Sequence, residues 1–189
     1  MKKFNNIPNR PYVSVEDGKI RYHSRSVAIC AVIILSKGNG EYYTLVHTRG
    51  EGCPDEKGKL SFNCGYLDWN ETLESSVKRE LWEELGIDID SLKTSKIIRC
   101  PEIDDSITGE NSVKQNITIR YQVLLDYYEI NEKLMSGEIN NDSESRGGEP
   151  NEVEKILIMS FENKAIPEDW AFNHSAIFND FHDHYFENK

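Results

Sequence analysis

Early in the chain, the run SVAICAVIIL from Ser26 to Leu35 leaves the fold little latitude. A strand with one wet face alternates apolar and polar side chains, and after its leading serine this run does not alternate at all. Its β-branched content favours extended structure, so the run predicts a central strand buried on both faces.

The rest of the chain supplies neighbours for such a strand. EYYTLVHTR (Glu41 to Arg49), LSFNCGYL, SKIIRC, NITIRYQVLLD (Asn116 to Asp126) and EVEKILIMSF all read as strands, which gives a mixed sheet. GEGCPDEKGK and PEIDDSITGENSVKQ read as loop or hairpin connections. Near the start, Asp17-Gly18 lies between two runs rich in Val, Ile and Tyr, the pattern of a hairpin with a primed turn edging a sheet. From Asn131 to Asn151 the chain is rich in Asn, Ser, Gly and charge and reads as a long mobile loop after a helical or irregular start. At the far end, Ile177, Phe178, Phe181 and Tyr185 recur at helical spacing and predict a last amphipathic helix.

Composition limits the partners. The 189 residues carry 33 acidic and 22 basic side chains, a formal charge of −11, which disfavours a broad grip on a nucleic acid duplex. Cys30, Cys53, Cys64 and Cys100 form no C-x-x-C pair, so neither a zinc site nor a disulfide scaffold is implied, and reduced cytoplasmic thiols are expected. The opening MKKFNNIPNRPY has no apolar core after its lysines, and no run approaches the roughly 20 apolar residues of a membrane span. A soluble cytoplasmic protein with no membrane partner is the expectation, and a homodimer is left open.

The chemistry gathers in GYLDWNETLESSVKRELWEELGI, Gly65 to Ile87. Leu73, Val77, Leu81 and Leu85 recur every fourth residue and Gly86 stands where a left-handed terminator belongs, which predicts a helix from Thr72 to Leu85. At about 100° per residue, Arg79, Glu80, Glu83 and Glu84 share one arc of roughly 140°. The acids repel one another at i,i+3 and i,i+4 spacing, and they crowd toward the end of the helix where the macrodipole disfavours negative charge. A divalent cation removes both penalties, and an all-oxygen donor set suits Mg²⁺ or Mn²⁺. A solvated helix face is the competing reading of the same charge run.

The full spacing is Gly65, five residues, Glu71, seven residues, Arg79-Glu80-Leu81, one residue, Glu83-Glu84, one residue, Gly86-Ile87. It resembles the Nudix box, GX5EX7REUXEEXGU, at every defined position, which is far more specific than a lone glycine motif. The resemblance implies an α/β fold, the Nudix α/β/α sandwich with a mixed sheet, over residues 25 to 189, with residues 1 to 24 as a hairpin appendage. It implies a metal-dependent hydrolase that cleaves the diphosphate of a nucleoside diphosphate linked to another group X, by direct attack of water, with Mg²⁺ or Mn²⁺ as cofactor. Carried over by position, Glu80, Glu83 and Glu84 and the main-chain carbonyl of Cys64 would hold the metal. Glu80 or an acid from outside the box would polarise the water; Glu149, Glu152 and Glu154 are the candidates and Glu152 is carried forward. Arg79 would fix a carboxylate, Glu71 would be its structural partner, and Gly86 would end the helix. Cys64 and Asn70 stand where many relatives have glycine.

Beyond the box, Arg49 suits a phosphate clamp or a surface salt bridge, and the Gly65 loop main chain is the other candidate substrate contact. Trp69, Trp82 and Trp170 read as packing or subunit contacts, His182 and His184 as surface histidines, and the Cys64 side chain as packing, with no base to make it a nucleophile. A non-catalytic Nudix-type module that senses such a ligand is the alternative function. An isoprenoid isomerase would need a further Cys and Glu signature that is not evident. No marker identifies X.

Overall fold

A computed structural model describes residues 10–23, 27–100, 105–107 and 116–184. Strands β1 (Arg10–Val13) and β2 (Ile20–His23) pair only with each other among the described residues, as a separate two-stranded sheet. The hairpin therefore does not edge the main sheet. Its turn also differs from expectation: Ser14 N–H still reaches the Lys19 carbonyl at 2.8 Å, so four residues close the loop. Gly18 has φ 68° and Asp17 has no positive φ, whereas a type I′ turn needs both.

The main sheet runs in the order β10 (Val153–Ser160), β4 (Tyr42–Arg49), β3 (Val27–Ser36), β9 (Asn116–Asp126), β7 (Ser95–Arg99). Three short strands attach to it: β5 (Leu60–Ser61) to β4, β6 (Asn63–Tyr66) to β3, and β8 (Asp105–Ile107) to β9. The pairing of β3 with β9 is parallel and the others are antiparallel, so the sheet is mixed. LSFNCGYL thus forms two strands that leave one partner for another at Phe62.

The long apolar run is the central strand. Ile29, Ala31, Ile33 and Leu35 point to one side, against Val77, Leu81 and Leu85 of the box helix and Ile130 of α2 (Tyr127–Ser136). Cys30, Val32 and Ile34 point to the other, against Phe161, Trp170 and the C-terminal helix α4 (His174–His182), which contributes Ile177, Phe178 and Phe181. Helices cover both faces, as the apolar run demanded, and the chain is an α/β/α sandwich. Tyr185 lies outside the described residues. Among the described residues no helix is long and apolar enough to cross a membrane.

Candidate active site

Helix α1 (Leu73–Glu80) starts at a capping box. Thr72 accepts from Ser75 N–H at 3.1 Å, and Ser75 Oγ accepts from Thr72 N–H at 3.0 Å, satisfying two amides that a helix start leaves bare. The helix continues without a break into a π-helical turn, Leu81–Leu85, and ends on Gly86 with φ 76°. A regular wheel does not foresee that wider turn, which occurs at functional sites more often than its rarity predicts. Leu81 and Leu85 still face the core, and Glu80, Glu83 and Glu84 are all buried, at 7%, 4% and 3% exposure. These are not the solvated acids of an open helix face.

Arg79 organises them. Its Nε donates to Glu71 Oε1 at 2.9 Å and its Nη2 to Glu71 Oε2 at 3.1 Å, a two-point clamp, while Nη2 also reaches the Tyr66 carbonyl at 2.8 Å. Nη1 donates to Glu80 Oε1 at 2.6 Å and to Glu83 Oε2 at 2.9 Å. The guanidinium therefore ties the helix to the strand and loop before it and holds two of the three clustered acids. Gly65 lies directly under Glu80: a Cβ there would overlap Oε1, Cδ and Oε2 of the carboxylate. The glycine makes room for the acid.

Glu84 takes its hydrogen bond from Asn63 Nδ2. Beside it, buried His47 brings Nδ1 to 3.9 Å from Glu84 Oε2, and neither His47 Nδ1 nor Asn63 Oδ1 has a hydrogen-bond partner among the described residues. Burial first, then the Arg49 charge, drops the His47 pKa to about 3, so the imidazole is neutral. Burial pushes Glu80 up to about 7 despite Arg79, and burial together with the neighbouring acids Glu152 and Glu80 raises Glu84 well above the carboxylate range.

Glu152 is half-buried just before β10, and its pKa is also raised, chiefly by burial. Its main chain is stitched to the loop after β4: Gly50 N–H donates to the Glu152 carbonyl at 2.8 Å and Gly52 N–H to that of Asn151 at 2.8 Å. Of the three candidate acids, Glu152 is the one whose charge reaches Glu80 and Glu84; Glu154 instead borders an open groove of about 570 Å³ with Arg49, Lys57 and Asn151.

The segment expected to be a long mobile loop is folded onto the box helix. After α2, a short helix α3 (Ser143–Arg146) places Arg146 across the end of the π turn. Nε of Arg146 donates to the Glu83 carbonyl and Nη2 to the Glu84 carbonyl, both at 3.2 Å, while Asn140 N–H donates to the Leu85 carbonyl at 3.2 Å. A cation on the bare carbonyls of a helix end is favourable, and here it offsets the acids that crowd the same end. Arg146 and Asn140 are site residues that sequence reasoning missed; a polar segment offers no period to reveal them.

The comparisons with known proteins agree with this geometry. A family profile for the NUDIX domain matches residues 25–180. The chain belongs to the NUDIX family. A comparison with curated proteins returns no match. Among solved structures, the fold is similar to the NUDIX domain of Shewanella oneidensis NrtR complexed with ADP ribose (14% identity, 85% of this chain, 88% of that chain, TM-score 0.58). It is also similar to the Escherichia coli dihydroneopterin triphosphate pyrophosphohydrolase (15%, 87% and 97%, TM-score 0.55). A third structure, Shewanella oneidensis NrtR complexed with a 27mer DNA, has 16% identity and TM-score 0.56, over 81% of this chain and 58% of that chain.

The NUDIX box residues thus converge on one buried locus, with Glu71 on Arg79 and Gly86 at the helix end. Arg49, at the end of β4, adopts the salt-bridge alternative: Nη2 donates to Asp55 Oδ1 at 2.9 Å and to the Asp55 carbonyl at 3.1 Å, and the guanidinium lies 5.0 Å from the Phe172 ring centroid. It nevertheless lines the groove. Trp170 is core, its ring tilted 45° to that of Phe62 with centroids 5.2 Å apart, but Trp69 is 61% exposed. His182 is buried rather than at the surface, with Nδ1 2.8 Å from Asp183 Oδ1. The donor set fits a hard divalent cation: buried acids outnumber the one guanidinium that holds them, and Asn63 Oδ1 beside them is an unsatisfied oxygen.

Proposed function

We propose that the protein is a Mg²⁺- or Mn²⁺-dependent hydrolase of a nucleoside diphosphate linked to another group, acting by direct attack of water on phosphorus. The observation that carries this reading is the burial of Glu80, Glu83 and Glu84 around Arg79, with the charge of Glu152 reaching Glu80 and Glu84. So many carboxylates held away from water serve no purpose in packing and need positive charge. Glu80, Glu83 and Glu84 and the Cys64 main-chain carbonyl would hold the cation, which when bound neutralises diphosphate oxygens and acidifies water. Arg79 fixes Glu80 and Glu83 in place. Glu80 or Glu152 accepts the proton of the attacking water. Arg49 and Lys57, on the groove beside Glu152, receive phosphate oxygens. Residues 1–24 are an appendage to a catalytic domain of residues 25–189.

The bound ADP ribose and the triphosphate named for two of the similar structures fit this substrate class. The test is a screen of diphosphate-linked nucleotides with Mg²⁺, in ¹⁸O-water, with mass identification of both products. A nucleoside monophosphate and a phosphorylated partner, one of them carrying a single heavy oxygen, are expected, and EDTA abolishes turnover. Turnover undiminished without metal, or label in neither phosphate, refutes the mechanism. Tight binding without turnover would establish the sensing module instead.

A further inference from the structure

Strand β6 has two working faces. Asn63 and Gly65 point to the box helix, where they meet Glu84 and Glu80, so Cys64 between them points to the opposite side of the sheet. There it faces Cys30 of β3, its direct partner in the antiparallel register, and His174 at the first position of α4. One ligand atom from each of the three lies within 4.8 Å of the others, and His174 Nε2 is 3.7 Å from Cys64 Sγ.

The register decides what this pair can do. Leu67 N–H donates to the Val27 carbonyl at 3.0 Å, so Val27 and Leu67 are a hydrogen-bonded pair. Such pairs alternate with non-bonded ones along an antiparallel ladder, which makes Ile29–Gly65 a bonded pair and Cys30–Cys64 a non-bonded pair. Non-bonded pairs bring Cα atoms to about 4.5 Å and their side chains together, inside the span a disulfide can bridge. The histidine is set against metal binding. Phe62 N–H donates to His174 Nδ1 at 3.2 Å, so Nδ1 is an acceptor and the ring proton sits on Nε2, the nitrogen that faces the sulfur. A metal would need the lone pair that this proton occupies.

We propose that Cys30 and Cys64 are an oxidisable dithiol that a hydroperoxide converts to a cross-strand disulfide, a modification site on the face of β6 opposite the glutamate cluster and independent of the hydrolase reading. Cys64, the partly exposed member, attacks the peroxide oxygen, and its thiol proton passes to the leaving oxygen. The O–O bond breaks and a sulfenic acid forms on Cys64. The Cys30 thiol then attacks the Cys64 sulfur, the S–O bond breaks, and water departs with the thiol proton. In sum, two thiols and one hydroperoxide give a disulfide, an alcohol or water from the peroxide, and water. Two electrons pass from sulfur to oxygen.

The experiment treats the full-length protein with limiting hydrogen peroxide, digests it without reductant and maps it by mass spectrometry. A single crosslinked peptide pair joining Cys30 to Cys64, lighter by two hydrogens and restored by dithiothreitol, is expected, with Cys53 and Cys100 left as thiols. The wild-type map needs no variant to fold. Cys64→Ser abolishes the crosslink. Links through Cys53 or Cys100 instead, sulfinic acid on Cys64 with no crosslink, or a stoichiometric zinc ion that shields both thiols from peroxide would each overturn the proposal.

Discussion

Replacing Gly65 with alanine separates the fold from the candidate metal site. A methyl group at Gly65 would overlap three terminal atoms of Glu80, so the carboxylate must retreat by roughly 1.5 Å to reach an ordinary contact of ~3.5 Å. Gly65 lies in a strand without positive φ, so alanine adds no backbone strain of its own. The atoms in the way end a side chain, which can move, rather than backbone. The cost to folding is the 2.6 Å Arg79–Glu80 hydrogen bond, about 1–3 kcal/mol for a buried charge-assisted contact, partly returned by the lower entropy of an unfolded alanine. The cost to function is larger, because misplacing a reacting group by about 1 Å lowers rates on the order of 100-fold. Urea denaturation without metal should show a loss of no more than about 2 kcal/mol. Mn²⁺ titration followed by electron paramagnetic resonance should show affinity weakened at least tenfold. Gly65→Ala combined with Glu80→Asp, whose shorter side chain clears the methyl, should lose less stability than the two single effects summed. Wild-type Mn²⁺ affinity in a folded Gly65→Ala protein would show that Glu80 does not ligate from this position.

The other glutamates should part company: Glu84→Gln, already inclined to be neutral, should leave the metal-free melting temperature unchanged or higher, whereas Glu83→Gln breaks a 2.9 Å ion pair with Arg79 and should lower stability by about 1–2 kcal/mol. Both should lose most hydrolytic activity, and normal turnover in both would refute a ligand role. Arg146→Ala removes donors from the Glu83 and Glu84 carbonyls and should destabilise by about 2–3 kcal/mol in urea; an unchanged midpoint would show that the helix end is held without it. Glu80 has a pKa raised from 4.5 to about 7, so between those values the native state binds more protons than the unfolded chain. The Glu80 contribution to metal-free stability should accordingly be full below about pH 4.5 and fall by roughly 3 kcal/mol as pH rises through 7, with Mg²⁺ flattening the slope. Stability that climbs over this window in metal-free buffer would contradict the burial assigned to the cluster.

Local pattern determined much of this protein. The unbroken apolar run of β3 required cover on both faces and received it. The i,i+4 leucines, with Thr72 before them and Gly86 after, specify the box helix, and the spacing of Arg79, Glu80, Glu83 and Glu84 puts them on one arc. Each of these is a statement about residues within a few turns of one another, where periodicity and caps carry the information. Other features join parts of the chain that carry no mark of their destination. Arg146 and Asn140 come from a polar stretch that looks like solvated loop until the bare carbonyls at the end of the box helix, 62 residues away from Arg146 in the case of Glu84, give them acceptors. Glu152 reads no differently from Glu149 or Glu154 until the loop after β4 pins its main chain beside the cluster. Cys30 and Cys64 read as unrelated thiols because their spacing holds no motif, and only the antiparallel register of β3 and β6 sets them opposite each other beneath His174. Composition and period describe which face a residue takes on its own element. Which elements meet, and in what register, is decided by the packing of the whole chain, since those contacts become favourable only once the sheet and both helix layers have formed.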